Sequence, residues 1–257
     1  MQRGPPTSGS ESDEPAHSPD ESGHSLVSAP LEPLRYDGQS DHPEEVAGIL
    51  RAMMPTGVRV LEVGCGTGSV TLIANHGKGN EVVAIEPDPQ RAALARSRGV
   101  NAMCCILDEA FVAGEQPFDV VMMADVLEHM ADPGAALKLV RAALKPGGHL
   151  LISVPNVAHW TVRLNLLFGR FDYAEYGIMD VTHLRWFYSR TIRRLVEDAG
   201  LTIVAMRQTA GVQLPVYQRS PFRHVPKRAL HAFVRTSNRL FPTLFGCQHV
   251  IKAVLTN

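Results

Sequence analysis

Short runs of almost uninterrupted apolar residues alternate with amphipathic segments over residues 43–155. Such runs are typical of strands buried on both faces of a parallel sheet, and the segments between them are typical of covering helices. The strand-like runs lie at 59–63, 81–85, 100–105, 118–123 and 149–154. The helix-like segments lie at 69–76, 88–97 and 132–143, with an earlier helix at 43–53 that has Pro43 in its first turn. The pattern predicts an α/β fold.

The pattern changes after Val154. Residues 156–188 are rich in aromatic, arginine and histidine side chains, and a connection of this length is typical of a lid or a binding loop. A helix is predicted over 189–199, with Ser189 as its N-cap and Gly200 as its stop. Two further strands are predicted at 201–207 and 248–255. A helix is predicted over 226–241, where core packing best explains the apolar positions Leu230, Phe233, Val234 and Leu240.

Composition narrows the class of protein. The chain has 257 residues, of which 45% are hydrophobic and 20% charged, and this suits one α/β domain with a sizeable core. No apolar run approaches about 18 residues, and no basic-then-apolar leader begins the chain, so neither a transmembrane helix nor secretion is expected. The four cysteines show no CxxC spacing. A reducing cytoplasm is therefore the expected compartment.

Charge is distributed unevenly around a net value of −1. Residues 1–33 hold six acids, six prolines and seven serines against one arginine, which predicts a disordered acidic tail before a domain at 34–257. From Gln208 to Asn257 there is no acid and there are seven Lys or Arg residues. A solvated face is preferred for this basic end over a polyanion-binding or membrane-surface role.

The sharpest motif follows the first strand and reads Glu62-Val-Gly-Cys-Gly-Thr-Gly68. Its glycines allow positive φ and let a ligand lie against bare backbone, beside the free N–H groups of the next helix. The spacing is GxGxG, and Glu62 before the first glycine would repel a diphosphate but suit a cationic aminoacyl group. The second strand ends in Glu86, where a carboxylate can accept both hydroxyls of a ribose.

Together these segments resemble the class I S-adenosylmethionine-dependent methyltransferase family. The quoted stretches are VLEVGCGTG, AIEPDP, FDVVMMADVLEHMADP and LKPGGHLLISVPN, in the family's order over about 58–156. The resemblance implies a Rossmann-like seven-stranded sheet whose last strand, 248–255, is antiparallel, with helices on both faces. It implies contacts to S-adenosylmethionine from Glu62, Gly64, Cys65, Gly66, Gly68, Glu86, Pro87 and Asp125.

The chain departs from the family after the third strand, where an acid commonly contacts the adenine amino group. Ile106 stands at that place, and Asp108 two residues later is the replacement considered. The alternative is that backbone groups and Leu107 hold the ring.

The sulfonium makes the methyl carbon electrophilic, so the enzyme mostly supplies alignment, with a base where the acceptor is a hydroxyl. His129, after the fourth strand, is the first choice for that base and His183 the second; a capping or packing role remains open for His129. Asp125, Glu128, His129 and His183 also resemble the metal-binding segment of the Hen-family small-RNA 2′-O-methyltransferases, and ubiquinone O-methyltransferases have a related pattern. This resemblance implies Mg²⁺ binding, with a metal-free site as the alternative.

The segment beginning at residue 156 resembles methyltransferases encoded beside glycan and natural-product genes, and also the methionine-biosynthesis protein MetW. Its predicted acceptor contacts are Asn156, Trp160, Arg163, Tyr173 and Arg185; salt bridges and core packing are the alternatives for the arginines and aromatics.

The function predicted is transfer of a methyl group to a small molecule, chiefly to a hydroxyl of a sugar or natural-product intermediate. The alternatives are a MetW-like accessory protein that binds an acyltransferase, an RNA 2′-O-methyltransferase, and, disfavoured by the glycine spacing and Glu62, a nicotinamide dehydrogenase. A nucleic-acid partner is disfavoured because the whole chain is near neutral. The sequence leaves the oligomeric state open, a homodimer included.

Overall fold

Seven strands form one sheet in the order β3-β2-β1-β4-β5-β7-β6 in the computed structural model, which describes Leu34 and residues 36–256. Strands β1 to β5 are parallel to one another, and β7 is antiparallel to both β5 and β6. The Rossmann-like sheet with an antiparallel last strand is therefore confirmed. The predicted tail at 1–33 lies outside the described residues. The strands are β1 (Arg59–Val63), β2 (Glu81–Ile85), β3 (Ala102–Met103), β4 (Phe118–Ala124), β5 (Leu144–Pro155), β6 (Leu201–Gln208) and β7 (Gln248–Leu255).

The described helices alternate with the strands, and three short 3-10 turns lie at Leu127–His129, Pro215–Gln218 and Phe222–His224. In chain order the helices are α1 (Val46–Met53), α2 (Ser69–Asn75), α3 (Pro89–Ser97), α4 (Glu109–Gly114), α5 (Pro133–Ala143), α6 (Trp160–Leu167), α7 (Ser189–Asp198), α8 (Lys227–Leu240) and α9 (Pro242–Phe245). No helix in the described part of the chain is long and apolar enough to cross a membrane.

Alternate residues of each strand pack against opposite helical layers, because successive side chains of a strand point to opposite faces. Val121 and Met123 of β4 belong to a core shared with α5 and α7. Val120 and Met122 belong to a second core shared with α1 and α2. Helices therefore cover both faces of the sheet, which explains the continuous apolar runs.

Several predicted boundaries need correction. Helix α1 begins at Val46 rather than at residue 43, and Pro43 lies in the turn before it. The N-cap of α7 is Tyr188 rather than Ser189, and its backbone N–H donates to Thr191 Oγ1 at 3.0 Å. Strand β3, predicted over 100–105, has only two residues and pairs on one side alone, with β2. Gly200 ends α7 as predicted, with a φ of +80°.

Helix α8 differs from its prediction in burial. Leu230 and Val234 are buried, but Phe233 and Leu240 are exposed, so only half of the apolar stripe packs into the core. The helix lies in the long connection between β6 and β7, which also carries α9.

Candidate active site

A cavity of about 740 Å³ lies at the carboxyl ends of β1, β2 and β4. This is the edge of an open α/β sheet at which ligands bind. The turn after β1 forms one end of the cavity, and the Leu127–His129 turn after β4 forms the other. We call these the glycine-turn end and the histidine end.

Backbone hydrogen bonds and one carboxylate shape the glycine-turn end. The N–H groups of Gly64 and Cys65 donate to the Ile85 carbonyl at 2.8 and 3.1 Å. The Gly66 N–H donates to Glu86 Oε2 at 2.8 Å, and the Asp88 N–H donates to Glu86 Oε1 at 3.0 Å. Glu86 therefore ties the glycine turn after β1 to the start of the helix that follows β2.

Two glycines of the turn are required by its geometry. Gly64 has a φ of +70°, and a Cβ there would lie 2.8 Å from Val126 Cγ2. Gly66 has a φ of +55° and lines the cavity. Side chains rarely adopt these φ values, so the turn presents bare backbone to the cavity.

Glu62 is a buried acid on the cavity wall. It is 1% exposed, and its Oε2 atom has no hydrogen-bond partner among the described residues. Burial raises the pKa of this carboxyl to about 8. A buried acid with an unused oxygen suits a cationic ligand group, whose charge would offset the cost of ionising the carboxyl.

Three polar side chains meet at the histidine end. Carboxylate and imidazole atoms of Glu128, His129 and His183 all lie within 4.8 Å of one another. The rings of the two histidines are edge to face, with their centroids 4.9 Å apart. This arrangement brings together three of the four residues predicted to hold a metal ion.

The protonation of His183 follows from a contact in the same segment. Its Nδ1 lies 3.1 Å from the Ile178 carbonyl oxygen, which can only accept, so Nδ1 carries the proton. In the neutral ring the lone pair is then on Nε2. A backbone carbonyl commonly orients metal-binding histidines in this way.

Glu128 is buried beneath the segment that carries His183. Both of its carboxylate oxygens lack a hydrogen-bond partner in the described part of the chain. Burial, with the nearby Asp125 carboxylate, raises the pKa of Glu128 well above its usual value. Its backbone carbonyl accepts hydrogen bonds from the N–H groups of Leu184 and Arg185, which fixes the covering segment.

Asp125 is not one of the three clustered side chains, and its carboxylate makes other contacts. Its carboxylate accepts from Ser153 Oγ at 2.8 Å and from Gln248 Nε2 at 2.9 Å. It also has a φ of +54°, a strained value for a residue with a side chain. The structure therefore does not bring Asp125 to the candidate metal ligands, although it does line the cavity.

The predicted cofactor residues are mostly at the cavity. Those that line it are Glu62, Gly64, Cys65, Gly66, Glu86, Pro87 and Asp125. Gly68 instead packs against Val100 and against Ala95 of α3, since a Cβ there would lie 2.8 Å from Val100 Cγ2 and 3.4 Å from Ala95 Cβ. Asp108 is exposed and caps α4, accepting from the Phe111 N–H at 2.7 Å. Ile106 and Leu107 line the cavity in its place.

The five predicted acceptor contacts do not line the cavity, and each makes other contacts. Asn156 Nδ2 donates to the carbonyls of Thr243 and Gly246, and Trp160 Nε1 donates to the Tyr217 hydroxyl. Arg163 and Arg185 donate to the carbonyls of Ala158 and Ala131, and Tyr173 packs against Phe171 and Trp186. Residues 177–183 of the same segment supply the cavity wall instead, through Gly177, Ile178, Thr182 and His183.

An N-terminal strap that the sequence did not reveal crosses the cavity. Its residues Tyr36, Gly38, Gln39 and Ser40 line the wall. Asp37 accepts from Arg98 Nη2 at 2.8 Å and from Thr67 Oγ1 at 2.6 Å, and these contacts hold the pKa of Asp37 well below its usual value. The Tyr36 hydroxyl donates to Asp180 and accepts from the Gly177 N–H. No local motif marks these partners.

Gln248 is a second residue that was missed, and the sequence did hold a signal for it. It begins β7, which runs opposite to its neighbours. The first residue of an antiparallel strand lies at the carboxyl edge of the parallel ones. The predicted direction of residues 248–255 therefore already places Gln248 beside the cavity.

Comparison with known proteins agrees with this geometry. A family model described as a methyltransferase domain matches residues 38–206, which is more than half of the chain. The chain belongs to this family, within the class I S-adenosylmethionine-dependent methyltransferases. A S-adenosylmethionine-dependent methyltransferase of Archaeoglobus fulgidus shares its fold with a TM-score of 0.55 at 17% identity, covering 83% of this chain and 96% of that one.

Two curated relatives show sequence similarity. The chain is 33% identical over 121 residues to a ubiquinone biosynthesis O-methyltransferase of Xanthomonas axonopodis pv. citri, covering 45% of this chain and 50% of the relative. It is 30% identical over 143 residues to the Escherichia coli tRNA 5-carboxymethoxyuridine methyltransferase, covering 52% and 54%. The chain thus spans about half the length of the curated relatives it matches.

Proposed function

We propose that this protein transfers a methyl group from S-adenosylmethionine to a hydroxyl of a small molecule, such as a sugar or a natural-product intermediate. One observation carries the proposal. A single cavity joins a glycine turn with two buried acids at one end to a histidine pair and a buried acid at the other. The first end suits the cofactor, and the second suits activation of a hydroxyl.

The residues at the glycine-turn end fit S-adenosylmethionine. Glu62 has an unused buried oxygen that suits the ammonium of the methionyl group. Glu86 accepts one hydrogen bond on each carboxylate oxygen, and each oxygen retains a lone pair for a ribose hydroxyl. Ile106 and Leu107 offer an apolar wall for the adenine ring. When bound, the cofactor supplies the electrophilic methyl group.

His129 is the proposed general base. Its Nδ1 lies 3.2 Å from the carbonyl oxygen of Thr182, which orients the ring at the cavity wall. A histidine so placed can accept the proton that a hydroxyl loses as it attacks the methyl carbon. The ubiquinone biosynthesis O-methyltransferase relative supports a hydroxyl acceptor.

A divalent cation, held by Glu128, His129 and His183, is the second version of this proposal. Two unused buried carboxylate oxygens beside two imidazoles fit Mg²⁺ or Mn²⁺. A bound cation would lower the pKa of the acceptor hydroxyl. In this version His129 is a ligand rather than the base, and Asp125 is not part of the site.

Label transfer tests the function. Methyl-labelled S-adenosylmethionine is incubated with the protein and a small-molecule extract of the source cells, and products are resolved by mass spectrometry. We expect a labelled product whose rate of formation falls about a hundredfold or more in His129→Ala. The matched control is His76→Ala, at an exposed histidine outside the cavity wall. No labelled small-molecule product despite cofactor binding would contradict the proposal.

Cation binding separates the two versions. Mn²⁺ is titrated into wild type, Glu128→Gln and the control Asp172→Asn, which changes an exposed acid of the covering segment. The cation version predicts binding that only Glu128→Gln abolishes, and product formation that stops on chelation. Product formation that survives chelation leaves His129 as the base.

A further inference from the structure

Helix α8 presents an exposed apolar row along its length. Its buried side is formed by Leu230 and Val234, whereas Phe233 is 56% and Leu240 is 65% exposed. Positions spaced by four, three and four residues lie in one row on a helix. The exposed row consists of Ala229, Phe233, Thr236 and Leu240, and the chain continues into Phe241, which is 59% exposed.

A basic row runs beside the apolar one, one residue earlier in the chain. It consists of Arg228, Ala232, Arg235 and Arg239. Arg235 forms an ion pair with Glu44 of the domain. Arg228 and Arg239, at the two ends of the row, are exposed. Lys227 adds a third exposed cation at the start of the helix.

The C-terminal segment that contains α8 has no acidic residue. Residues 208–257 contain seven Lys or Arg residues and no Asp or Glu, although the net charge of the whole chain is −1. The positive charge is thus concentrated in the segment that carries the exposed apolar row. A helix with this pairing of rows is typical of those that lie in a membrane interface.

We propose that α8 docks on an anionic lipid surface, parallel to the bilayer plane. Phe233 and Leu240 enter the boundary between headgroups and acyl chains, while Arg228 and Arg239 contact lipid phosphates. RNA would engage the arginines equally well, but the exposed apolar side chains of Phe233 and Leu240 are not suited to a phosphate backbone, so the observations favour lipid. The proposal does not depend on the reaction catalysed.

Vesicle sedimentation of the full chain provides the test. The protein is mixed with vesicles of phosphatidylcholine alone and with vesicles containing about a third phosphatidylglycerol. We expect partition into the anionic vesicles only, and a marked loss of binding when NaCl is raised from about 0.1 to 0.5 M. No partition into anionic vesicles overturns the proposal.

Substitutions on α8 test whether this helix is the lipid-binding surface. Each arginine near a charged membrane contributes about fivefold in partition, so Arg228→Gln with Arg239→Gln should weaken binding about 25-fold. Phe233→Ser with Leu240→Ser should weaken it at least tenfold through lost apolar insertion. All four side chains are exposed, so we expect the variants to fold, and circular dichroism and S-adenosylmethionine binding check this.

Helix α6 provides a matched control. Leu167 and Phe168 are 78% and 71% exposed, but their neighbourhood includes Asp172 and Glu175 as well as arginines. We expect Leu167→Ser with Phe168→Ser to keep most of the vesicle binding. If this control abolishes binding while the α8 variants do not, or if tRNA binds more tightly than anionic vesicles and displaces them, the proposal is wrong.

Discussion

The two ends of the cavity are built in different ways. The glycine-turn end is made by residues 62–69 and 85–88, and its hydrogen bonds join backbone groups to Ile85 and Glu86. The histidine end gathers side chains from the Leu127–His129 turn, from residues 177–183 and from Gln248. The first end is a consequence of local turn chemistry, whereas the second exists only when distant segments have packed.

The buried carboxylates Glu86 and Glu128, one at each end of the cavity, differ in how many hydrogen bonds they accept. Glu86 is 4% exposed and uses both carboxylate oxygens. Glu128 is 1% exposed and uses neither with any described residue. A satisfied buried acid holds its surroundings in place, while an unsatisfied one is costly unless a ligand compensates it. The glycine-turn end is therefore preformed apart from one oxygen, Glu62 Oε2, whereas both carboxylate oxygens of Glu128 at the histidine end remain to be satisfied by what binds there.

Of the changes considered, removing the Glu86 carboxylate should have the largest effect, and the effect should be on affinity for S-adenosylmethionine. Glu86→Ala breaks two hydrogen bonds to a charged acceptor and leaves the Gly66 turn without its anchor, so we expect the affinity for S-adenosylmethionine to fall about a hundredfold. Calorimetry measures this, with Asp108→Ala as the control because that side chain only caps α4. Equal losses in both variants would show that the glycine-turn end does not depend on Glu86.

Lowering the pH should reduce the free energy of unfolding, because His249 in β7 is buried. This side chain is fully buried, and burial lowers the pKa of its imidazole to about 4. The unfolded chain binds the proton near pH 6.5, so stability rises with pH between these values and is lost on acidification. Between pH 7 and pH 5 the wild type loses unfolding free energy through this group, and His249→Leu does not. We therefore expect the loss to be about 2 kcal/mol smaller in His249→Leu than in wild type.

Urea denaturation at the two pH values measures that difference. His76→Leu, at an exposed position, should keep the wild-type pH dependence. A His249 variant with the same pH dependence as wild type would contradict the inference that the buried ring resists protonation in the folded protein.

Cofactor binding should depend on pH through Glu62. The carboxyl has a pKa of about 8 because it is buried, and it must lose its proton to face an ammonium group. The free protein therefore binds more protons than the complex, and affinity rises with pH below 8. We expect about a tenfold increase from pH 6.5 to 7.5, measured by calorimetry. Glu62→Gln should bind weakly at both pH values, without the increase.

Loosening the strap should have the smallest effect, and the effect should be on the dissociation rate of S-adenosylmethionine. Arg98→Gln removes the guanidinium that binds Asp37 at the glycine-turn end. Exposed ion pairs contribute little, so we expect dissociation of S-adenosylmethionine to accelerate only about threefold in stopped-flow measurements. Arg190→Gln, at an exposed arginine of α7, should leave the rate unchanged. A rate unaltered in both variants would mean that the strap does not retain the cofactor.

The sequence predicted the glycine-turn end well because its determinants are close together in the chain. The bounds of β1, β2 and β7 agree with the prediction, and Glu62 and Glu86 lie on the cavity wall as expected. Apolar strand runs and turn glycines are set by residues within a few positions, so local patterns suffice there.

The sequence could not show the contacts that side chains make with distant segments. Asn156 was expected at an acceptor, but its amide completes the hydrogen bonds of two carbonyls near α9. Trp160 packs beside α8, in a cluster with Leu230 and Val234. Neither partner can be read from the residues around 156–160, because they lie more than 50 positions away. The surroundings of these two side chains therefore required the tertiary structure.

Adjacent positions of the strap bind opposite ends of the cavity. Asp37 contacts Thr67 and Arg98 beside the glycine turn, and Tyr36 contacts Gly177 and Asp180 beside the histidines. A ligand that orders one of these residues also restricts its neighbour, so less conformational entropy remains to be lost when the second ligand binds. Cofactor and acceptor would then bind with positive heterotropic cooperativity, each increasing the affinity for the other by the same factor.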